Sequence, residues 1–181
     1  MRLTISILAA VAASVLSLGC EQEGPAAPEA PALKVGGASA DVSLPMKGTY
    51  VADGAFVPAG DCAGLASAHS GGGVETHTGR YTITTLDCIL GADFTGEFTK
   101  VAANGDLMIG TYTGTTTVLQ PPPSLVLAVE GTLVFTGGTG RFEGVSGSQT
   151  LSGRQTIDFT NIDPAIHTEL ALDGSISLPR P

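Results

Sequence analysis

Glu75 and His77 are the two residues of this chain whose types and spacing best suit chemistry. They stand two positions apart, on the parity of Tyr81 and Ile83, which read as inward residues of a strand. A carboxylate and an imidazole projecting together into a protein interior can exchange protons near neutral pH or orient a polar ligand. The competing reading is a bulge near Gly79 that breaks the parity and leaves both residues at the surface or in a structural hydrogen bond.

Other chemistries find less support. His69, His77 and His167 fall on different elements with no HxH or HExxH spacing, so no metal site is expected. No Gly-x-Ser-x-Gly elbow is present. The glycine-rich Gly137-Gly138-Thr139-Gly140 lacks the GK[ST] ending of a phosphate-binding loop and reads as a turn. Asp158, Asp163 and Glu169 do not have calcium-loop spacing. The row Thr111, Thr113, Thr115 and Thr117 shares parity with Ile109 and reflects strand propensity. No cofactor is implied.

The elements that would position these residues are strands. Leu125, Leu127, Val129, Leu133 and Phe135 share one face, opposite Glu130, Thr132 and Thr136. Ile166, Leu170, Leu172, Ile176 and Leu178 are set against His167, Glu169, Asp173, Ser175 and Ser177, and Phe94 and Phe98 oppose Thr95, Glu97 and Thr99. One wet and one dry face per strand is the pattern of antiparallel sheet. Asn104-Gly105-Asp106 marks a hairpin whose central residues both need positive φ, and Gln120-Pro121-Pro122-Pro123-Ser124 separates two further runs. Strands are expected near 47–52, 74–86, 93–102, 106–119, 125–137, 145–161 and 165–178, with a short one near 55–57. Seven or eight antiparallel strands in this length make an all-β up-and-down barrel, or alternatively a sandwich.

The chain has 181 residues, enough for one such domain with appendages. Eight Lys and Arg face 17 Asp and Glu, giving a net charge of -9. That balance argues against a nucleic-acid partner, which requires clustered cations.

The N-terminus reads as an export signal over residues 1–19: Arg2, then an apolar run from Leu3 to Leu18 that is short for a bilayer span. Leu18-Gly19-Cys20 resembles the lipobox of bacterial lipoproteins, although Ser17 stands where the pattern has an aliphatic residue. The resemblance implies acylation of Cys20 and a membrane partner through the lipid. Residues 20–46, rich in Pro, Ala and Glu at their start, then read as a tether, and 47–181 as the barrel domain. With Cys20 acylated, Cys62 and Cys88 are left as a pair, expected to form a disulfide in an oxidising compartment. Glu21 is not the Asp that retains many enterobacterial lipoproteins in the inner membrane. The expected location is therefore the outer membrane facing the periplasm, with plain secretion as the alternative.

Gly137-Gly138-Thr139-Gly140-Arg141-Phe142 resembles the GGTG-[KR]-F segment of plant dirigent proteins and allene oxide cyclases. A longer resemblance, over about residues 47 to 178, is to a group of uncharacterised exported bacterial proteins. It rests on Thr76-His77-Thr78-Gly79-Arg80, Ala102-Ala103-Asn104-Gly105-Asp106, Gly110-Thr111-Tyr112 and the glycine-rich segment, in that order. Together these imply an allene-oxide-cyclase-like barrel but no reaction, and no catalytic residue is carried over. Three functions stay open: a non-enzymatic anchored protein holding a small apolar ligand, an isomerase or cyclase acting on a lipophilic substrate, and a packed structural or protein-interaction module.

Overall fold

The structure, a computed structural model, describes residues 42–179. The expected signal, the Cys20 lipidation site and the tether up to residue 41 lie outside the described residues. Eight strands follow in order: β1 Val42–Val57, β2 Leu65–Glu75, β3 Gly79–Leu90, β4 Asp93–Ala102, β5 Leu107–Gln120, β6 Ser124–Gly138, β7 Ser146–Asp158 and β8 Ala165–Leu178. Each pairs antiparallel with its neighbours in sequence, and β8 closes on β1 from Val42↔Leu178 to Gly54↔Ile166. The sheet is a closed barrel rather than a sandwich.

Three sequence expectations are corrected. The runs near 47–52 and 55–57 are one strand that begins at Val42, inside the expected tether. The expected strand 74–86 is instead a hairpin: β2 ends at Glu75, residues 76–78 turn, and β3 starts at Gly79. His77 sits in that turn with φ +67°, a left-handed conformation uncommon for a residue with a Cβ. In the Asn104-Gly105 turn only Gly105 has positive φ, +90°, so the turn is not the type in which both central residues are left-handed.

The inward glycines explain how large side chains fit inside a narrow barrel. Phe94 pairs in register with Gly114, Phe98 with Gly110, and Tyr112 with Gly96. In each case a Cβ on the glycine would run into the partner's ring. Gly54 likewise makes room for His69, Gly48 for Glu75, and Gly73 for the Tyr81 hydroxyl. Each bulky residue thus lies over a bare stretch of the adjacent strand, and that is what much of the glycine is for. Gly114→Ala is accordingly expected to lower stability by about 1–3 kcal/mol, read as a shift of the denaturation midpoint at constant slope.

One end of the barrel is closed. Gly140–Phe142 forms a single 3₁₀ turn that carries Phe142 into the core, where Met46, Met108, Val145 and Ile176 are also buried. Arg141 donates through Nη2 to the carbonyl of Thr78 at 2.9 Å, and its guanidinium lies 3.7 Å from the Asp106 carboxylate. Asp106 also accepts from the Arg141 backbone N–H at 3.3 Å. The Thr-His-Thr-Gly-Arg, Asn-Gly-Asp and Gly-Gly-Thr-Gly-Arg-Phe segments are therefore tied together as the plug of the barrel. Gly137, Gly138, Gly140, Arg141 and Phe142 do structural work there.

The outer surface carries charged side chains in mid-strand, including Glu97, Glu130, Arg154 and Glu169, among exposed apolar ones such as Val51, Leu86, Ile109 and Val134. A barrel that crosses a membrane presents an outward apolar band that such charges would interrupt. No helix among the described residues is long and apolar enough to span a bilayer.

Candidate functional site

The other end of the barrel is open, and a cavity of about 480 Å³ runs inward from it. Ligand sites commonly occupy about 300–1,000 Å³. Most of the wall is apolar, with Phe94, Tyr112, Leu127, Leu133, Leu151 and Leu170 as its larger members. Around the open end, Leu65, Leu90, Val118, Leu119, Phe159 and Ile162 are exposed, Ile162 almost completely at 99%. An apolar rim of this kind favours contact with apolar molecules over water.

One sector of the wall is polar, formed by β1, β2 and β3. Register places Ser67 beside Asp87 and His69 beside Thr85, all with Tyr50 on the inward face. The Ser67 hydroxyl lies 3.1 Å from His69 Nε2 and 3.3 Å from Asp87 Oδ2. His69 Nε2 lies 3.1 Å from the same Asp87 oxygen. Two atoms of this group, His69 Nδ1 and Asp87 Oδ1, are buried without a hydrogen-bond partner. Burial chiefly, then the charge of Asp87, pushes the Tyr50 phenol well above its ordinary range, against a smaller opposing effect of Thr85. Tyr50 therefore keeps its proton.

Ser67, His69 and Asp87 are the three residue types of a hydrolytic triad, yet they are not wired as one. A triad uses the two imidazole nitrogens separately, one for the serine and one for the carboxylate. Here both partners engage Nε2. The arrangement suits holding a ligand or moving a proton better than generating a serine nucleophile.

At the floor, Lys100 is fully buried with its Nζ 2.5 Å from Glu75 Oε1 and 3.5 Å from Gln149 Oε1. Thr78 donates to the second Glu75 oxygen at 3.3 Å. The ammonium also lies over the rings of Tyr81, Phe98 and Phe135, at 4.8, 5.7 and 5.4 Å. Desolvation lowers the Lys100 pKa, and the neighbouring Glu75 charge works against that shift.

The structure separates the two residues that sequence put together. Glu75 faces inward and is buried, whereas His77 is exposed in the turn and reaches neither the cavity nor an acid–base partner. Glu75 is matched instead with Lys100. That pairing had a signal: Lys100 lies on the same parity as Phe94 and Phe98, and a cation on an apolar face requires a buried anion. Asp87 had the same kind of signal, lying on β3 at the parity of Tyr81 and Ile83, whereas Ser67 and His69 had none, because β2 showed no alternation. His167 lies on the outer face, its Nδ1 2.7 Å from Asp53, which chiefly raises its pKa with help from Glu169. Among the described residues no three His, Cys, Asp or Glu converge as metal ligands.

Cys62 and Cys88 stand at disulfide distance, with their Cα atoms 5.5 Å apart. Cys62 lies in the β1–β2 loop at the open end and Cys88 on β3, next to Asp87, so the link fixes one side of the mouth. Replacing both with Ser is expected to lower stability by about 3.5 kcal/mol, from the entropy of the freed loop, whose ends are 26 residues apart. Denaturant titration with and without reductant checks this, since the reduced native chain should match the double variant.

Comparison of the chain with known protein families, with curated proteins and with solved structures finds no match.

Proposed function

We propose that this protein is a non-enzymatic binder of a small apolar molecule, held in the barrel interior and exchanged through the open end. The observation that carries this reading is the cavity of about 480 Å³, apolar over most of its wall and open at an apolar rim. A packed interaction module has no use for such a void, because empty apolar space forfeits stability. The lipobox-like Cys20 and the signal-like residues 1–19 support export and a lipid anchor in the cell envelope, at the outer membrane facing the periplasm. The Cys62–Cys88 pair fits an oxidising compartment of that kind. The closed eight-stranded barrel supports the likeness to allene oxide cyclases in fold class, without carrying their reaction.

The test is native mass spectrometry on the protein extracted gently from its own membranes, followed by organic extraction. A stoichiometric, non-covalent lipophilic companion is the expected result. A mass accounted for by polypeptide, acyl groups and one disulfide would overturn it.

An isomerase or cyclase reading draws on a different observation, the polar sector with its unpartnered imidazole and carboxylate atoms. Its proton-moving groups would be His69 and Asp87 rather than Glu75 and His77. Conversion of the extracted companion to an isomer by the purified protein, abolished by Asp87→Asn, would establish it.

A further inference from the structure

The polar sector of the cavity contains more hydrogen-bond acceptors than donors. An ionised carboxylate only accepts, and a neutral imidazole carries a single N–H. His69 Nε2 lies 3.1 Å from both Asp87 Oδ2 and Ser67 Oγ, so the network places the ring proton on Nε2. His69 Nδ1 is packed over Gly54, and Asp87 Oδ1 is a buried acceptor with no partner. The Ser67 hydrogen is taken up within the group, by Asp87 Oδ2. An unmatched carboxylate oxygen beside a dry cavity is costly to leave unpaired, and it is selective about what relieves it.

We infer that the ligand of this barrel is an apolar molecule with a hydroxyl group, whose O–H is received by the Asp87 carboxylate while its hydrocarbon body fills the wall opposite. This rests on the binding reading given above and names the ligand class for the same cavity. The Asp87 side chain lines the cavity and keeps 12% of its surface exposed. With Oδ2 held by Ser67 and His69, that exposed edge of the carboxylate is where an arriving donor meets it. Tyr50 and Thr85, on the same sector, have hydroxyls suited to the lone pairs of the ligand oxygen.

The alternatives fit less well. A pure hydrocarbon leaves the carboxylate oxygen unpaired. A fatty carboxylate brings a second negative charge up to Asp87, in a chain whose net charge is already -9. An alkylammonium must shed the hydration of a full charge to enter a cavity whose wall is mostly apolar.

The experiment is a calorimetric titration of the full chain with decanol, decyl methyl ether and decanoate, on the natural protein and on Asp87→Asn. On the natural protein, decanol should bind about tenfold more tightly than the ether, the worth of one hydrogen bond to a charged acceptor. Decanoate should bind more weakly than decanol. In Asp87→Asn the difference between decanol and ether should fall below about threefold, with a circular dichroism spectrum confirming that the variant is folded. Equal binding of alcohol and ether by the natural protein, or tighter binding of decanoate, overturns the hydroxyl assignment and leaves the apolar-binding reading standing. Binding of none of the three overturns both. The natural-protein comparison decides the matter even where the variant fails to fold.

Discussion

Glu75→Ala is expected to destabilise the barrel by about 3–5 kcal/mol, the largest effect of any single exchange considered for this chain. The reason is the partner left behind. Lys100 is fully buried, and its ammonium is satisfied by a Glu75 carboxylate oxygen at 2.5 Å, a distant Gln149 amide oxygen at 3.5 Å and three ring faces. Without the carboxylate, the charge has lost the anion that compensates it among the described residues and sits fully buried. The double exchange Glu75→Leu with Lys100→Met should recover most of the loss, because an apolar pair of similar volume avoids both desolvation penalties.

A pH signature separates this account from a simple cavity effect. Burial already lowers the Lys100 pKa, and removal of Glu75 takes away the main influence opposing that shift. In Glu75→Ala the unfolded chain then binds more protons than the folded one, between the depressed folded value and the unfolded value of about 10.4. Stability of the variant should therefore rise with pH across that window. Urea titrations at neutral and alkaline pH measure it. A loss below about 1 kcal/mol at neutral pH, or a loss that grows with pH, would sink the ion-pair account.

The contrast between Lys100 and His69 shows what sequence could and could not reveal here. Strands β4, β6 and β8 were legible because most of their inward side chains are large and their outward ones polar, and β5 through its row of outward threonines. Phe94, Phe98, Leu127, Val129, Leu133, Ile166 and Leu172 are all buried, and Leu170 partly so. The same logic contained Lys100, once its parity was noticed. Strand β2 was illegible for the opposite reason. Its inward positions include Gly71 and Gly73, which are bare so that Ala52 and Tyr81 can lie over them. A strand whose role is to make room has no hydrophobic period, and it carried Ser67 and His69 out of view with it.

The recognisable motifs misled in a related way. Thr76-His77-Thr78 read as strand because of its Thr content, yet Thr76 accepts from the Lys47 backbone N–H at 2.9 Å, and the segment is the turn that Arg141 binds. The segments Thr76–Arg80, Asn104–Asp106 and Gly137–Phe142 build the closed end of the barrel, whereas the residues that would select a ligand lie elsewhere, on β1, β2 and β3.

Leu170→Trp is expected to leave the barrel folded and to weaken capture of an apolar probe about 100-fold. Leu170 faces the cavity from β8 and is only partly buried, so an indole there has void to enter rather than packed atoms to displace. Stability should consequently change by no more than about 1 kcal/mol. The loss in binding follows from area: an indole filling the cavity denies the probe roughly 3 kcal/mol of apolar burial, close to two decades in affinity. The chain contains no other Trp, so the introduced indole reports on itself. Its emission should be that of a buried ring and should not shift when the probe N-phenylnaphthylamine is added. Ile162→Ser provides the control at the rim, where the side chain is 99% exposed, and should alter probe affinity by less than about threefold. The opposite ranking, with Leu170→Trp harmless and Ile162→Ser severe, would place the apolar molecule on the outside of the mouth. The interior would then lose its claim to be the binding site.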